Sequence, residues 1–150
     1  MRLCVLSSGS AGNCVWVEAP GARVLIDAGL SLRETRRRCA EAGLDVRDLT
    51  DICLTHEHGD HSFGTSVIAR KTGARVHATA GTFRGLRDPP PCELGRGEPA
   101  AHLKKVGLII VSASGVAGPE KQLCCAFCIW NRGGEDRTLD TLLKRQVLYH

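Results

Sequence analysis

Aromatic residues are scarce in this sequence. Two Trp, one Tyr and three Phe make up 4% of its 150 residues, whereas 43% of the residues are hydrophobic. Aromatic side chains usually supply the largest buried areas of a protein core. The core must therefore consist mainly of Val, Leu, Ile and Ala side chains. The length and the hydrophobic content suit one globular domain and leave little room for two.

Long apolar runs are also missing. The segment from Leu3 to Leu6 is shorter than the roughly 7–15 residues of a signal-peptide core, and nothing approaches the roughly 18 apolar residues of a membrane span. We therefore expect a cytoplasmic protein without a membrane partner. In that compartment the eight cysteines are expected to be free thiols or metal ligands. Cys4 and Cys53 lie in apolar runs, and we expect both to be buried.

A large excess of one charge is absent as well. Twenty Lys and Arg against sixteen Asp and Glu give a formal net charge of +4. This charge favours the approach of an anionic substrate but does not by itself indicate nucleic-acid binding. Much of it falls in one helix-like segment, at Arg33, Arg36, Arg37 and Arg38, which we interpret as a solvent-exposed helix face.

Turn signals divide the first half of the sequence into short elements. Strands are predicted over 3–6, 14–18 and 23–26, and the short turns between them favour antiparallel pairing. A helix is predicted from Ser31, which begins a capping-box sequence, to Gly43. Further strands are predicted over 49–54, 74–79 and 108–112, and further helices over 62–72, 82–86 and 138–148. We predict a domain over residues 1–112 and a tail without a recognisable fold over residues 113–150.

The strongest functional signal is the run Thr-His-Glu-His-Gly-Asp-His at residues 55–61, which holds three of the six histidines. His56 and His58 are two positions apart, so in an extended segment both imidazoles project to the same side and can bind one ion. Asp60 and His61 follow a glycine turn and can bind the same ion or a second one. These donors suit zinc, manganese or iron. The alternative is a polar surface loop.

Metal ions at this run predict a hydrolase. Bound ions lower the pKa of water from about 15.7 to about 7, and the hydroxide attacks a phosphorus or carbonyl carbon. Asp60 can bind a metal and orient this nucleophile, which makes it the candidate catalytic residue. Glu57 is expected to point away from its histidine neighbours, either as a surface residue or as one that supports a ligand from behind.

Two further positions allow two interpretations each. Asp27 ends an apolar strand, where its carboxylate can orient a metal-bound histidine or serve as an ordinary turn residue. The segment from Ser7 to Asn13 can offer backbone N–H groups to an anion, although a plain hairpin turn is the interpretation that we favour.

The histidine run resembles the H-x-H-x-D-H signature of the metallo-β-lactamase superfamily, and Asp27 is similar to the aspartate that precedes this signature. A resemblance to the WalJ/YycJ-type, exonuclease-like branch is carried by the opening L-S-S-G-S-A-G-N and by the phrase S-V-I-A-R-K-T-G-A-R-V-H-A-T. The resemblance covers roughly residues 1–87 and fades after about residue 100.

This resemblance implies an α/β (α+β) fold, the metallo-β-lactamase-like αβ/βα sandwich, with only its N-terminal half present. It implies two divalent metal ions, Zn or Mn. His56 and His58 would hold one ion, and Asp60 and His61 the other, with Asp27 supporting the site. The implied reaction is exonuclease-like hydrolysis of DNA or another phosphodiester.

The family pattern also requires three ligands further along the chain, and these are not identified. His77, His102 and His150 match no family motif, and His77 is expected to be exposed. Catalytic zinc usually has three protein ligands, whereas each ion would have two here. The second hypothesis is therefore a metal-binding but catalytically silent partial domain.

Cys124, Cys125 and Cys128 form a C-C-x-x-C cluster. A structural zinc ion needs a fourth ligand, and no second C-x-x-C exists. A cysteine-based zinc module is the third hypothesis, a redox dithiol is a further possibility, and unremarkable thiols are the interpretation that we favour.

Overall fold

The computed structural model describes residues 1–90 and two short strand segments at 128–129 and 137–138. Residue contacts divide the chain into two compact units, Met1–Glu98 and Pro99–His150. The predicted boundary after residue 112 stays a prediction. None of the helices among the described residues is long and apolar enough to cross a membrane.

Five strands form one mixed sheet in the first unit, in the order β1-β2-β3-β4-β5. The pairs β1–β2 and β2–β3 are antiparallel, as predicted, and the pairs β3–β4 and β4–β5 are parallel. Every strand except β2 therefore runs in the same direction, so four carboxyl ends lie at one edge of the sheet. The strands are β1 (Arg2–Ser7), β2 (Cys14–Ala19), β3 (Ala22–Ile26), β4 (Asp51–Cys53) and β5 (Arg75–His77).

Helical segments connect the parallel strands β3, β4 and β5, and one more segment follows β5. The helix predicted over 62–72 starts later, at Thr65, because a separate helical turn precedes it and contains the second half of the histidine run. The predicted stop at Gly73 is confirmed by its left-handed φ of 75°. The segments are α1 (Leu32–Glu41), the 3-10 turn η1 (Val46–Asp48), α2 (Gly59–Ser62), α3 (Thr65–Thr72) and α4 (Ala80–Gly85).

The predicted cap of α1 is present. The Ser31 hydroxyl accepts a hydrogen bond from the backbone N–H of Glu34 at 3.3 Å, which satisfies one free donor of the first turn. The Glu34 carboxylate does not complete the capping box but pairs with Arg37 and Arg38. Arg33, Arg36 and Arg37 are exposed and Arg38 is half-buried, so the arginine run forms a largely solvated face, as predicted.

The core lies between one face of the sheet and the helices. Alternate residues of four adjacent strands project into it and meet side chains from α1 and α3, which is the packing expected for strands beside amphipathic helices. Side chains on the opposite face, such as Val17 and Val24, are fully buried too, a pattern typical of a sheet inside a layered fold. The core cluster includes Trp16, Leu25, Ile52, Val76, Cys39 and Ile68. Its composition is mainly aliphatic, as expected.

The two predictions for cysteines in strands had different outcomes. Cys53 is buried, as predicted, with 3% of its surface exposed. Cys4 is only partly buried and packs against the rim of the core. It lies in β1, the outermost strand of the five-stranded sheet, where fewer neighbours surround a side chain.

In the second unit, the described backbone is the antiparallel pair β6 (Cys128–Ile129) and β7 (Arg137–Thr138). The helix predicted to begin at residue 138 is therefore wrong at its first residue, which lies in a strand. The other predictions for this part of the chain lie outside the described residues. They concern the strand over 108–112, the rest of the predicted helix, His102, His150, Cys124 and Cys125.

Candidate metal centre

Three loops meet at the edge of the sheet where the parallel strands end. They are the turn after β1 (residues 8–13), the segment after β3 (residues 27–31) and the histidine run after β4 (residues 55–61). Binding sites of α/β proteins commonly lie outside the carboxyl ends of strands, because the loops there converge on a rigid scaffold. The topology thus brings Asp27 close to the histidine run.

Backbone hydrogen bonds join these three loops. The Asn13 N–H donates to the Asp60 carbonyl oxygen at 2.7 Å, and the Gly29 N–H donates to the Asn13 carbonyl oxygen at 2.9 Å. The Ala28 N–H donates to the His61 carbonyl oxygen at 2.7 Å. Each loop is therefore held in place by main-chain contacts with the other two.

Two glycines make this close approach possible. A Cβ atom on Gly29 would collide with the Asp60 carbonyl group and lie 2.7 Å from the Asn13 nitrogen. A Cβ atom on Gly64 would collide with the Leu30 carbonyl oxygen. Neither glycine has a positive φ, so space rather than backbone conformation requires glycine here.

Asp27 forms the buried base of the site. Its φ of 59° lies in the left-handed region, which Asp tolerates better than most residues, and its surface is 5% exposed. Its carboxylate accepts hydrogen bonds from the Thr55 N–H at 2.9 Å and the Thr55 hydroxyl at 3.1 Å. It also lies 2.7 Å from Nδ1 of His61. Of the two interpretations offered for Asp27, the geometry favours orientation of a histidine.

These contacts assign the imidazole protons. A carboxylate only accepts hydrogen bonds, so His61 carries its proton on Nδ1 and exposes the lone pair of Nε2. The Thr55 hydroxyl donates to Asp27 and lies 2.7 Å from Nδ1 of His56, so it accepts the proton of that nitrogen. In the neutral form of both rings, Nε2 is therefore the unprotonated nitrogen, which is the form that binds a metal.

The four predicted ligands lie together. The ring centroid of His56 is 4.7 Å from that of His58 and 4.0 Å from that of His61. Oδ2 of Asp60 lies 3.4 Å from Nε2 of His61. His58 precedes the first residue of α2 and is exposed, so the cluster opens to solvent on this side.

The pKa values of His56 and His61 are shifted in opposite directions. Burial lowers the pKa of His56, and the neighbouring His61 lowers it further. Burial also lowers the pKa of His61, but the hydrogen bond from His61 to Asp27 and the charges of Asp27 and Asp60 outweigh burial, so its pKa is raised. His56 is thus the readier of the two to offer a neutral imidazole.

The chemistry of these donors fits a divalent cation, since imidazole nitrogens and a carboxylate converge beside a buried carboxylate. As they stand, however, no three His, Cys, Asp or Glu side chains in the described part of the chain are arranged to hold a metal ion. The side-chain amide of Asn13 lies beside two of the proposed ligands instead. Nδ2 of Asn13 lies 3.2 Å from Oδ2 of Asp60 and 3.0 Å from Nε2 of His61.

Three backbone N–H groups of the turn from Ser7 to Asn13 already have partners. The N–H of Gly9 donates to the Asn13 side chain, that of Gly12 donates to the Gly9 carbonyl oxygen, and that of Asn13 donates to Asp60. The geometry favours the plain turn among the two interpretations, with the addition that the turn contacts the histidine run.

His77 lies apart from this centre, and its predicted exposure is wrong. Its side chain is 17% exposed, and Nε2 lies 2.8 Å from Oδ1 of Asp51, which is fully buried. Nε of Arg75 lies 3.2 Å from the same oxygen. A buried carboxylate requires partners, which explains why His77 faces the sheet. Glu57 is exposed, as predicted.

Sequence reasoning missed Thr55 and Asn13 as parts of the site. Both are small polar residues directly beside recognised features, Thr55 before the first histidine and Asn13 at the end of the turn. Nothing local distinguishes them from ordinary strand-end residues, because their partners are 28 and 47 positions away in the sequence.

The structure has a mixed sheet with helices on one face, and a cluster of His and Asp side chains lies at the carboxyl ends of its strands. This arrangement is that of an α/β protein with a polar site at the ends of the strands. A family model described as the metallo-beta-lactamase superfamily matches residues 8–119. This chain belongs to the metallo-beta-lactamase superfamily. Membership confirms the predicted fold class and implies the use of a divalent metal.

Curated relatives support the predicted branch. The chain is 38% identical over 86 residues to "Exodeoxyribonuclease YycJ" of Bacillus anthracis, covering 57% of this chain and 33% of the relative. It is 38% identical over 87 residues to "Exodeoxyribonuclease WalJ" of Streptococcus pneumoniae, covering 58% and 32%. The chain thus spans about a third of the length of these relatives. The resemblance to the WalJ/YycJ-type branch is confirmed.

A solved structure shows the same fold. A metallo-beta-lactamase of Cronobacter sakazakii with a HARLDQ motif aligns with a TM-score of 0.53 and 25% identity, covering 63% of this chain and 44% of that protein. The alignment agrees with a chain that contains the N-terminal part of the metallo-beta-lactamase fold.

Proposed function

We propose that this chain is a metal-dependent hydrolase that cleaves phosphodiester bonds in DNA in an exonuclease-like manner. The observation that carries this proposal is the convergence of His56, His58, Asp60 and His61 in front of the buried Asp27. The names of the two exodeoxyribonuclease relatives support DNA as the substrate. The net charge of +4 favours the approach of a polyanion.

Each residue of the proposed site has a distinct role. His56 and His58 would hold one divalent ion, Zn or Mn, and Asp60 and His61 would hold a second. When bound, such ions supply an activated water and neutralise the charge that develops on the phosphate. Asp27 and Thr55 would keep the protons of His56 and His61 on Nδ1, which would leave Nε2 of each ring available to the ions. Asp60 is the proposed catalytic residue, because a carboxylate that holds a metal could also orient the attacking water.

A second candidate is a metal-binding domain without catalysis. Within residues 1–90, each proposed ion has two ligands, and no complete set of three is arranged around one point. Catalytic zinc usually has three protein ligands, so this incomplete set favours weak binding.

We also place the protein in the cytoplasm. Cys4, Cys14, Cys39 and Cys53 are free thiols, which is typical of a reducing compartment.

The test is the metal content of the purified chain together with shortening of end-labelled DNA in Mn²⁺ or Zn²⁺. His58→Ala is compared with Glu57→Ala, a neighbouring exposed residue that serves as the control. Metal that is lost only in His58→Ala, together with DNA shortening from its ends, supports the proposal. Bound metal without hydrolysis favours the silent domain. Absence of metal from the wild type contradicts both, and metal that is lost only in Cys125→Ala favours the cysteine module.

A further inference from the structure

The Asn13 side chain bridges its own turn and the proposed metal ligands. Its Oδ1 accepts a hydrogen bond from the Gly9 N–H at 3.0 Å, and its Nδ2 lies 3.2 Å from the Gly9 carbonyl oxygen. The same Nδ2 lies 3.2 Å from Oδ2 of Asp60 and 3.0 Å from Nε2 of His61. One amide nitrogen is thus within hydrogen-bond distance of an acceptor atom on each of two proposed ligands.

The orientation of this amide follows from its partners. The Gly9 N–H can only donate, so the oxygen end of the amide must face Gly9. The reversed amide would place an oxygen against the Asp60 carboxylate and against the lone pair of His61, which is repulsive. Because Asp27 holds the proton of His61 on Nδ1, Nε2 of His61 is an acceptor and matches the Asn13 N–H donor.

The backbone keeps this side chain in place. The Asn13 N–H donates to the Asp60 carbonyl oxygen, and the Asn13 carbonyl oxygen accepts from Gly29. The main chain of residue 13 is therefore held beside Asp60 by contacts on both sides, and the amide is held by its own contacts with Gly9. A substitution at residue 13 changes the side chain while these main-chain hydrogen bonds can remain.

We propose that Asn13 is a positioning residue of the metal centre, whose amide N–H groups occupy the lone pairs of Asp60 and His61 until a divalent cation takes them. This inference rests on the proposed function, since it requires that these two residues are ligands. In the metal-free protein the amide keeps two polar groups, one of them an anion, converged on one point. The cation then meets preorganised donors, which reduces the cost of ordering them.

The test compares Asn13→Ala and Asn13→Asp with Ser10→Asp. Ser10 is an exposed residue of the same turn, so Ser10→Asp adds the same charge without reaching the ligands. Each full-length variant is stripped of metal, its Tm is measured, and Mn²⁺ or Zn²⁺ is titrated to obtain Kd. We expect Asn13→Ala to weaken binding about 10-fold or more, as changes behind metal ligands do.

Asn13→Asp separates positioning from a simple role in the turn. Its carboxylate can still accept from the Gly9 N–H but cannot donate to the Gly9 carbonyl oxygen, so a turn role alone predicts a lower Tm with the wild-type Kd. Positioning predicts the lowest metal-free Tm of the set, because two carboxylates then face each other, together with a Kd below the wild-type value, because the cation relieves their repulsion. This comparison stands even if Asn13→Ala fails to fold.

The outcomes distinguish the two proposals. Wild-type binding with an unchanged Kd in both Asn13 variants, whatever their Tm, overturns the role of Asn13 and leaves the metal centre intact. Failure of the wild type to bind either metal overturns the metal centre, and the role of Asn13 with it. Equal effects of Ser10→Asp and Asn13→Asp also overturn the proposal, since charge alone then explains them.

Discussion

At the scale of single residues, Asp27 combines an unusual backbone conformation with a specific contact. Its left-handed φ costs free energy in most residues other than Gly, Asn and Asp. Its carboxylate is the partner of both Thr55 and His61. Asparagine is accepted at such a φ, so Asp27→Asn isolates the carboxylate from the backbone.

We expect Asp27→Asn to retain the fold and to weaken metal binding about 10–100-fold. The amide has one donor end, and either orientation sacrifices a hydrogen bond of Thr55 or of His61. Metal titration gives the Kd, and circular dichroism verifies the fold. An unchanged Kd with a native spectrum would show that Asp27 does not orient His61.

The ion pairs on α1 lead to a second prediction, at the scale of the element. The hydrogen bonds from Arg37 and Arg38 lower the pKa of Glu34 from 4.5 to about 2. A carboxylate with a lowered folded pKa adds stability above its unfolded pKa, and this contribution is lost as the pH falls through the folded value. Between pH 5 and pH 2, the wild-type Tm should therefore fall more steeply than that of Glu34→Gln.

The control for this prediction is Glu41→Gln, because Glu41 pairs with one arginine, Arg37, among the residues that the structure describes. Its pH profile should stay closer to that of the wild type. Both differences should shrink at high salt, since these side chains are exposed to solvent and their charges are screened. Parallel profiles for the wild type and Glu34→Gln would contradict the assignment.

The close contact among the three loops of the site leads to a third prediction. Gly29→Ala forces a methyl group into the Asp60 carbonyl group, and overpacking of this kind typically costs about 1–3 kcal/mol. Gly81→Ala is the matched control, since a Cβ there meets only a side-chain oxygen at 3.7 Å. Urea unfolding gives the free energy of unfolding of each variant. Equal values would mean that the loops separate more easily than their hydrogen bonds suggest.

Elements with strong local signals could be predicted from the sequence, and long-range contacts could not. The antiparallel order of β1, β2 and β3, the Ser31 cap and the Gly73 stop follow from turn and cap chemistry. The start of α3 at Thr65 does not, because α2 takes up the end of the histidine run. His77 turned inwards because of Asp51, a partner 26 positions away. The joining of the Asn13 turn to Asp60 has no local signal either.

At the scale of the whole molecule, metal binding and folding should be linked. A ligand that binds only the folded state stabilises it by about 2.7 kcal/mol at a concentration of 100 times Kd. The wild-type Tm should rise on addition of Mn²⁺ or Zn²⁺ and return on addition of EDTA. Glu57→Ala should keep this rise and His58→Ala should lose most of it. A rise that survives in His58→Ala would place the bound metal elsewhere.

The hydrogen bonds between the Asn13 turn and the histidine run also decide where the chain tolerates an inserted peptide. Two turns at the start of the chain look alike in sequence, since both are short and contain glycine. The turn at Pro20–Gly21 is exposed, and the extra length of an epitope tag there would extend into solvent. The same tag at Ser10 would displace Asn13 from its contacts with Asp60. An insertion at this apparently free surface would therefore disturb a ligand that lies 47 positions beyond Asn13 in the sequence.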